Sequence, residues 1–124
     1  MKPIVESTLS KNDYIRKALH AFRRMPGATG AVRRNDRLLA ANLYDRGVPL
    51  CAVENALVLA AARRIVRSPD SPPLQPIRSL YYLLPVIDEV LSVRVSQDYY
   101  CYLQFKIDQV LNLKKVISQL PDLG

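Results

Sequence analysis

The chain has 124 residues, 49 % of them apolar, which is enough to bury a core without disulfides or metals. Its formal net charge of +7 is unevenly placed: thirteen Lys or Arg stand against five Asp or Glu through Arg67, and five against six from Ser68 onward. The longest mostly apolar stretch, residues 48–62, is broken by Glu54 and Asn55 and falls short of the roughly 20 residues that a bilayer span needs, which argues against a transmembrane segment.

Residues 1–8 show neither the apolar h-region nor the small-residue cleavage site of a secretory signal. Cys51 and Cys101 lack Cys-x-x-Cys spacing and fall in apolar, helical-looking segments, so they read as small buried hydrophobes of a reduced compartment. The expectation is a cytoplasmic protein of one domain, 1–124. It divides into a basic half (1–67), a proline-rich connector (68–76) and a near-neutral helical half (77–124).

In chain order, residues 13–25 place Tyr14, Leu19 and Phe22 among Arg16, Lys17, Arg23 and Arg24, with Asn12 or Asp13 as N-cap and Pro26-Gly27 as a stop. A second helix follows from Leu38, Leu39 and Leu43 at helical spacing, ending at Gly47 as an αL residue. Pro49 suits the first position of a third helix, in which Leu50, Val53, Ala56, Leu57, Ala60 and Ala61 build one broad apolar face. This should be the most buried element, its alanines permitting close approach of a neighbour.

Four prolines within residues 68–76 exclude helix there. Ile77, Leu80, Tyr81, Leu84, Ile87 and Leu91 then share one helical side, with a kink or break expected at Pro85. Ser96 resembles the N-cap of a last long helix. In it Leu103, Val110 and Ile117 repeat every seven residues, Leu113 and Leu120 hold the complementary positions, and Lys106 interrupts the seam. The expected architecture is all-α, a compact bundle of about five helices with a proline-rich connector.

The candidate chemistry is electrostatic. Arg23, Arg24, Arg33, Arg34 and Arg37 flank the glycine turn at residues 25–30, and Arg63, Arg64 and Arg67 close the third helix. Cations in the last turn of a helix are favoured by the macrodipole, so Arg23, Arg24, Arg63, Arg64 and Arg67 need no ligand to explain them. Arg33 and Arg34 differ. If the second helix begins near Val32 they sit in its first turn, where the dipole opposes positive charge and a phosphate would compensate it; if it begins at Asn35 or Asp36 they lie in a solvated loop. At about 100° per residue, Arg33 and Arg37 fall within roughly 40° of each other and Arg34 about 60° to the other side of Arg37, one patch in all.

A helix-turn-helix reading of residues 38–61 lacks polar residues suited to base edges; Asn55 alone could read adenine, and Glu54 would repel the backbone. Any DNA contact should therefore be to phosphates, sequence-tolerant and salt-sensitive. Tyr81, Tyr82, Tyr99, Tyr100 and Tyr102 lie in the half without excess positive charge, which favours a protein-binding surface or dimer interface over base stacking. His20 is the sole histidine, Asp88 and Glu89 do not form a dyad, and residues 27–30 lack the Lys-Ser/Thr of a phosphate loop. No catalytic set, metal site or cofactor is expected.

The runs Asn42-Leu-Tyr-Asp-Arg-Gly-Val-Pro-Leu50, Ala61-Ala-Arg-Arg64, Pro72-Pro-Leu-Gln-Pro-Ile-Arg-Ser-Leu80 and Pro85-Val-Ile-Asp-Glu-Val-Leu91 resemble small uncharacterised helical proteins encoded in bacterial mobile genetic elements. The resemblance covers roughly residues 26 to 95 and implies a setting of DNA mobility or replication. The expected function is non-enzymatic binding of nucleic acid, mainly DNA phosphates, with a protein partner or second copy on the C-terminal helices. Two alternatives stand beside it: an adaptor docking an acidic protein, and a helical subunit of a larger nucleoprotein complex.

Overall fold

The computed structural model describes residues 9–65, 70–93 and 95–119, with side chains through residue 113 of the last helix. Five α-helices form an all-α bundle: α1 (Lys11–Arg24), α2 (Arg34–Asp45), α3 (Leu50–Ile65), α4 (Leu84–Ser92) and α5 (Gln97–Gln119), with a 3₁₀ turn at Leu80–Leu83. No described helix is long and apolar enough to cross a membrane.

The hub is α3, which packs against α1, α4 and α5, while α1 also packs against α2. Buried positions run round most of α3: Leu50, Ala52, Val53, Asn55, Ala56, Leu57, Ala60 and Ala61. A helix apolar on several sides must be covered on several sides, and its small residues let the neighbours come close. Around it, α1 contributes Tyr14, Ala18, Leu19 and Phe22, and the second half contributes Ile77, Leu80, Leu83, Ile87 and Ile107 to the same core. The Tyr14 hydroxyl is not wasted in that core; it donates to the Val48 carbonyl at 2.8 Å.

Local chemistry sets the ends. Ser10, ahead of the anticipated Asn12 or Asp13, caps α1, its Oγ accepting the Asp13 N–H at 3.0 Å. Gly47 (φ +78°) closes α2; Gly47 and Val48 donate to the Tyr44 and Leu43 carbonyls, each at 3.0 Å, the paired bonds of a Schellman motif. Pro49 stands one residue before α3, where its carbonyl accepts from Ala52 and Val53. Ser96 Oγ accepts the Tyr99 N–H at 3.4 Å at the start of α5.

Of the kink or break expected at Pro85, the break is found, but the helical pattern does not reach back to Ile77: Ile77 forms a β-bridge, a 3₁₀ turn follows, and Pro85 lies in the first turn of α4, where its missing N–H costs nothing. Other expectations are corrected. Cys51 and Cys101 are exposed, not buried. Cys51 lies in the first turn of α3, and Cys101 lies one residue after the buried Tyr100 of α5. Leu113 is likewise exposed, while the side chain of Ile117 and all of Leu120 lie outside the described residues.

Candidate nucleic-acid interface

The glycine turn between α1 and α2 is held against Ile77, the residue that follows the proline connector. Ala28 and Ile77 form an isolated parallel bridge, with the Thr29 N–H donating to Ile77 at 3.0 Å and the Ile77 N–H donating to Gly27 at 2.7 Å. Gly27 has φ +93°, open to glycine alone at low cost, and a β-carbon there would overlap Arg64 Nε. Arg64 thus packs over the turn while its Nη2 donates to the Gln75 carbonyl at 3.1 Å.

From this turn α2 starts at Arg34 with Arg33 as N-cap, so both arginines do stand at a helix N-terminus. The compensating negative charge comes from within the chain. Asp36, 1 % exposed, accepts the Arg33 N–H at 2.9 Å through Oδ2, and the Leu80 N–H at 2.9 Å and Ser79 hydroxyl at 3.3 Å through Oδ1. This acidic residue in the first turn satisfies the dipole and leaves the side chains of Arg33, Arg34 and Arg37 exposed.

On α1, Arg16, His20 and Arg23 stand at i, i+4 and i+7, one face of the helix. With Arg37 of α2 they line a groove of about 370 Å³ whose apolar side is Ile15, Leu19 and Val32. Arg16 pairs with Asp13 at 2.7 Å, and that hydrogen bond, followed by the one from Ser10, holds the Asp13 carboxyl below its ordinary range. Arg23 and Arg37 make no ion pair with a described carboxylate, nor do Arg24, Arg33 and Arg34. Arg24 faces a second groove, with His20 between the two.

The arginines at the end of α3 are employed differently. Arg63 makes a bidentate pair with Glu89 of α4, one bond at 2.9 Å, which lowers the Glu89 carboxyl below its ordinary range and raises the guanidinium. Arg64 belongs to the glycine turn, as above, and Arg67 lies outside the described residues. The structure thus brings Arg23 and Arg37 into one groove, leaves Arg33 and Arg34 exposed at the start of α2 without lining it, and gives Arg63 and Arg64 protein partners of their own. The sequence reading set His20 aside as a lone histidine and did not count Arg16 among the candidates, although their spacing from Arg23 places all three on one face. It also passed over Asp36 as the anchor of α2.

Asn55 is not available for reading bases. It is buried against α5, exchanging hydrogen bonds with Gln97 at 3.0 and 3.2 Å. Compared with family models, with curated proteins and with solved structures, the chain matches none.

Proposed function

We propose that this chain is a non-enzymatic nucleic-acid-binding protein that seats a phosphate backbone in the α1–α2 groove. The observation that carries this reading is the pair of exposed guanidiniums on Arg23 and Arg37, unpaired with any described carboxylate, in a groove that also holds Arg16 and His20, with Arg33 and Arg34 exposed and likewise unpaired at the start of α2. Clustered cations repel one another in the free protein, and a polyanion removes that cost while releasing its own counterions. The hydrogen-bonded, pre-fixed turn keeps the ordering cost of binding low. The apolar flank suits sugar and helix-stem packing rather than base readout, so the binding is sequence-tolerant. Arg24, Arg63, Arg64 and Arg67 belong to the long-range positive field in this reading.

Fluorescence anisotropy of random-sequence duplex and single-stranded DNA, at several salt concentrations, tests it. The expected result is salt-steep binding, with log affinity falling against log salt by about 0.9 per neutralised phosphate on duplex. Replacing Arg33, Arg34 and Arg37 together by Ala should flatten that slope while circular dichroism stays unchanged. Equal affinity in the triple variant would move the site elsewhere. The resemblance to proteins of mobile elements supports an accessory role in replication or transposition, in the cytoplasm of a bacterium.

A second reading, a subunit of a larger nucleoprotein complex, is favoured by the apolar residues exposed on α4 and α5, among them Leu91, Tyr99, Tyr102 and Phe105. It predicts weak binding by the chain alone and tight binding in the assembly. An adaptor docking an acidic protein would instead leave DNA mobility unchanged at low salt.

A further inference from the structure

The 3₁₀ turn at Leu80–Leu83 presents two tyrosines to solvent. At about three residues per turn Leu80 and Leu83 share one side, where both are buried, which leaves Tyr81 and Tyr82 outside at 49 % and 57 % exposure. Just before the turn the chain is extended, so Arg78 stands on the side opposite the buried Ile77 and is exposed. Tyr82 and Arg78 line one groove of about 550 Å³ together with Arg64, Leu74 and Pro76, and no described carboxylate lines it.

The fold thereby gives Tyr82 surroundings that its place in the chain conceals. Arg64 comes from the basic half, so the near-neutral balance beyond Ser68 does not describe this groove. Arg64 is committed, its Nη2 on the Gln75 carbonyl at 3.1 Å, and serves as a fixed wall. Arg78 is the cation left over: its side chain makes no ion pair or hydrogen bond among the described residues. No described ring or cation stacks on Tyr82 either.

We propose, resting on the nucleic-acid reading above, that this groove takes an unpaired nucleobase on Tyr82 and its phosphate on Arg78, as part of a single strand. An exposed aromatic ring and a free guanidinium in one groove, with Leu74 and Pro76 as its apolar edge, match the flat base and the charged phosphate of one nucleotide. Every base has a π face, so the contact is sequence-tolerant, whereas a paired base inside a duplex does not reach the ring. Continuity selects a strand over a free nucleotide. The Asp36 carboxylate holds the Ser79 hydroxyl on one oxygen and the Arg33 N–H on the other, so the groove adjoins the start of α2, where Arg33 and Arg34 are exposed to meet the next phosphates. The turn is fixed in advance, with the Tyr82 N–H on the Ser79 carbonyl and the Tyr81 N–H on the Ser79 hydroxyl, each at 3.1 Å, which keeps the ordering cost low.

The chain has no tryptophan, so Tyr82→Trp makes the groove report on itself. Oligothymidylate should quench that fluorescence, while an abasic strand of the same length should bind with little quenching. By anisotropy, Tyr82→Ala should weaken single-strand binding about tenfold, Tyr82→Phe should retain it, and neither should alter duplex affinity or circular dichroism. Arg78→Ala should weaken single-strand binding and lower its salt slope by about 0.7. A strand that binds without quenching, and equally well to Tyr82→Ala, would overturn this groove and leave the α1–α2 assignment standing. Failure of strand and duplex alike to bind at low salt would remove both. Thymidine monophosphate quenching at the concentrations that suffice for the strand would overturn the strand in favour of a free nucleotide.

Discussion

The Asp36 carboxylate accepts the backbone N–H of Leu80 at 2.9 Å, across 44 residues of chain, while its other oxygen accepts the N–H of Arg33. One buried side chain thereby fixes the start of α2 and the start of the 3₁₀ turn, and so joins the basic half to the helical half. Removing it leaves buried donors without acceptors, at about 1–3 kcal/mol for each. Asp36→Ala should therefore lose about 3 kcal/mol in urea unfolding, with the midpoint lowered and the slope kept. Asp36→Asn keeps one acceptor but turns donors toward a donor-rich site, and should lie between. A neutral result for Asp36→Ala would mean that water replaces the carboxylate.

Gly27 and Gly30 offer a controlled comparison in the turn. Both have positive φ, +93° and +86°, but a β-carbon at Gly30 meets nothing within 4 Å while one at Gly27 overlaps Arg64. Gly30→Ala should cost only the left-handed backbone penalty, about 1–2 kcal/mol. Gly27→Ala should cost that plus the displacement of Arg64 from the Gln75 carbonyl. In a double-mutant cycle Arg64→Ala should relieve part of the Gly27→Ala cost, with a coupling of about 1 kcal/mol. Additive losses would show that Arg64 moves aside freely.

The Arg63–Glu89 pair gives stability a sign in acid. The guanidinium holds the Glu89 carboxyl below its unfolded value of about 4.5, so the pair's contribution is full above that pH and is lost as pH falls through the lower folded value. Asp13, lowered by Arg16, acts in the same direction. Because these groups are exposed, the contribution is small. Thermal melts of wild type and Glu89→Gln should differ at neutral pH and converge in strong acid. A gap that persists in strong acid would place the effect in packing rather than charge.

Much of this was legible in the sequence because it depends on spacing. The apolar face of α3 and the glycine at Gly47 both follow from local periodicity and backbone chemistry, and both stand in the structure. What was not legible depends on contacts between distant segments. Nothing local to Asp36 announces Leu80, and nothing local to Ile77 announces its bridge to Ala28, which is why a helix was expected where the chain is extended. Pro85 stands at a break as expected of it, in the first turn of α4 and directly after the 3₁₀ turn at Leu80–Leu83. Arg63 and Arg64 looked alike as helix-end cations; only the approach of α4 and of the glycine turn separates them.

That separation divides the arginines into two experimental classes. Arg63 and Arg64 have protein partners, Glu89 and the Gly27–Gln75 region, whereas Arg23 and Arg37 face the α1–α2 groove without a described carboxylate. Arg63→Ala and Arg64→Ala should lower the melting temperature and change DNA affinity little. Arg23→Ala and Arg37→Ala should leave the melting temperature within error, or raise it by relieving repulsion, and each should weaken binding several-fold while reducing the salt slope by about 1. Sequence preference should not change in either class, because phosphate contacts are uniform along the duplex. If Arg63→Ala instead weakened binding as much as Arg37→Ala at unchanged stability, the nucleic acid would have to cross α3 and α4, and the groove between α1 and α2 would lose its assignment.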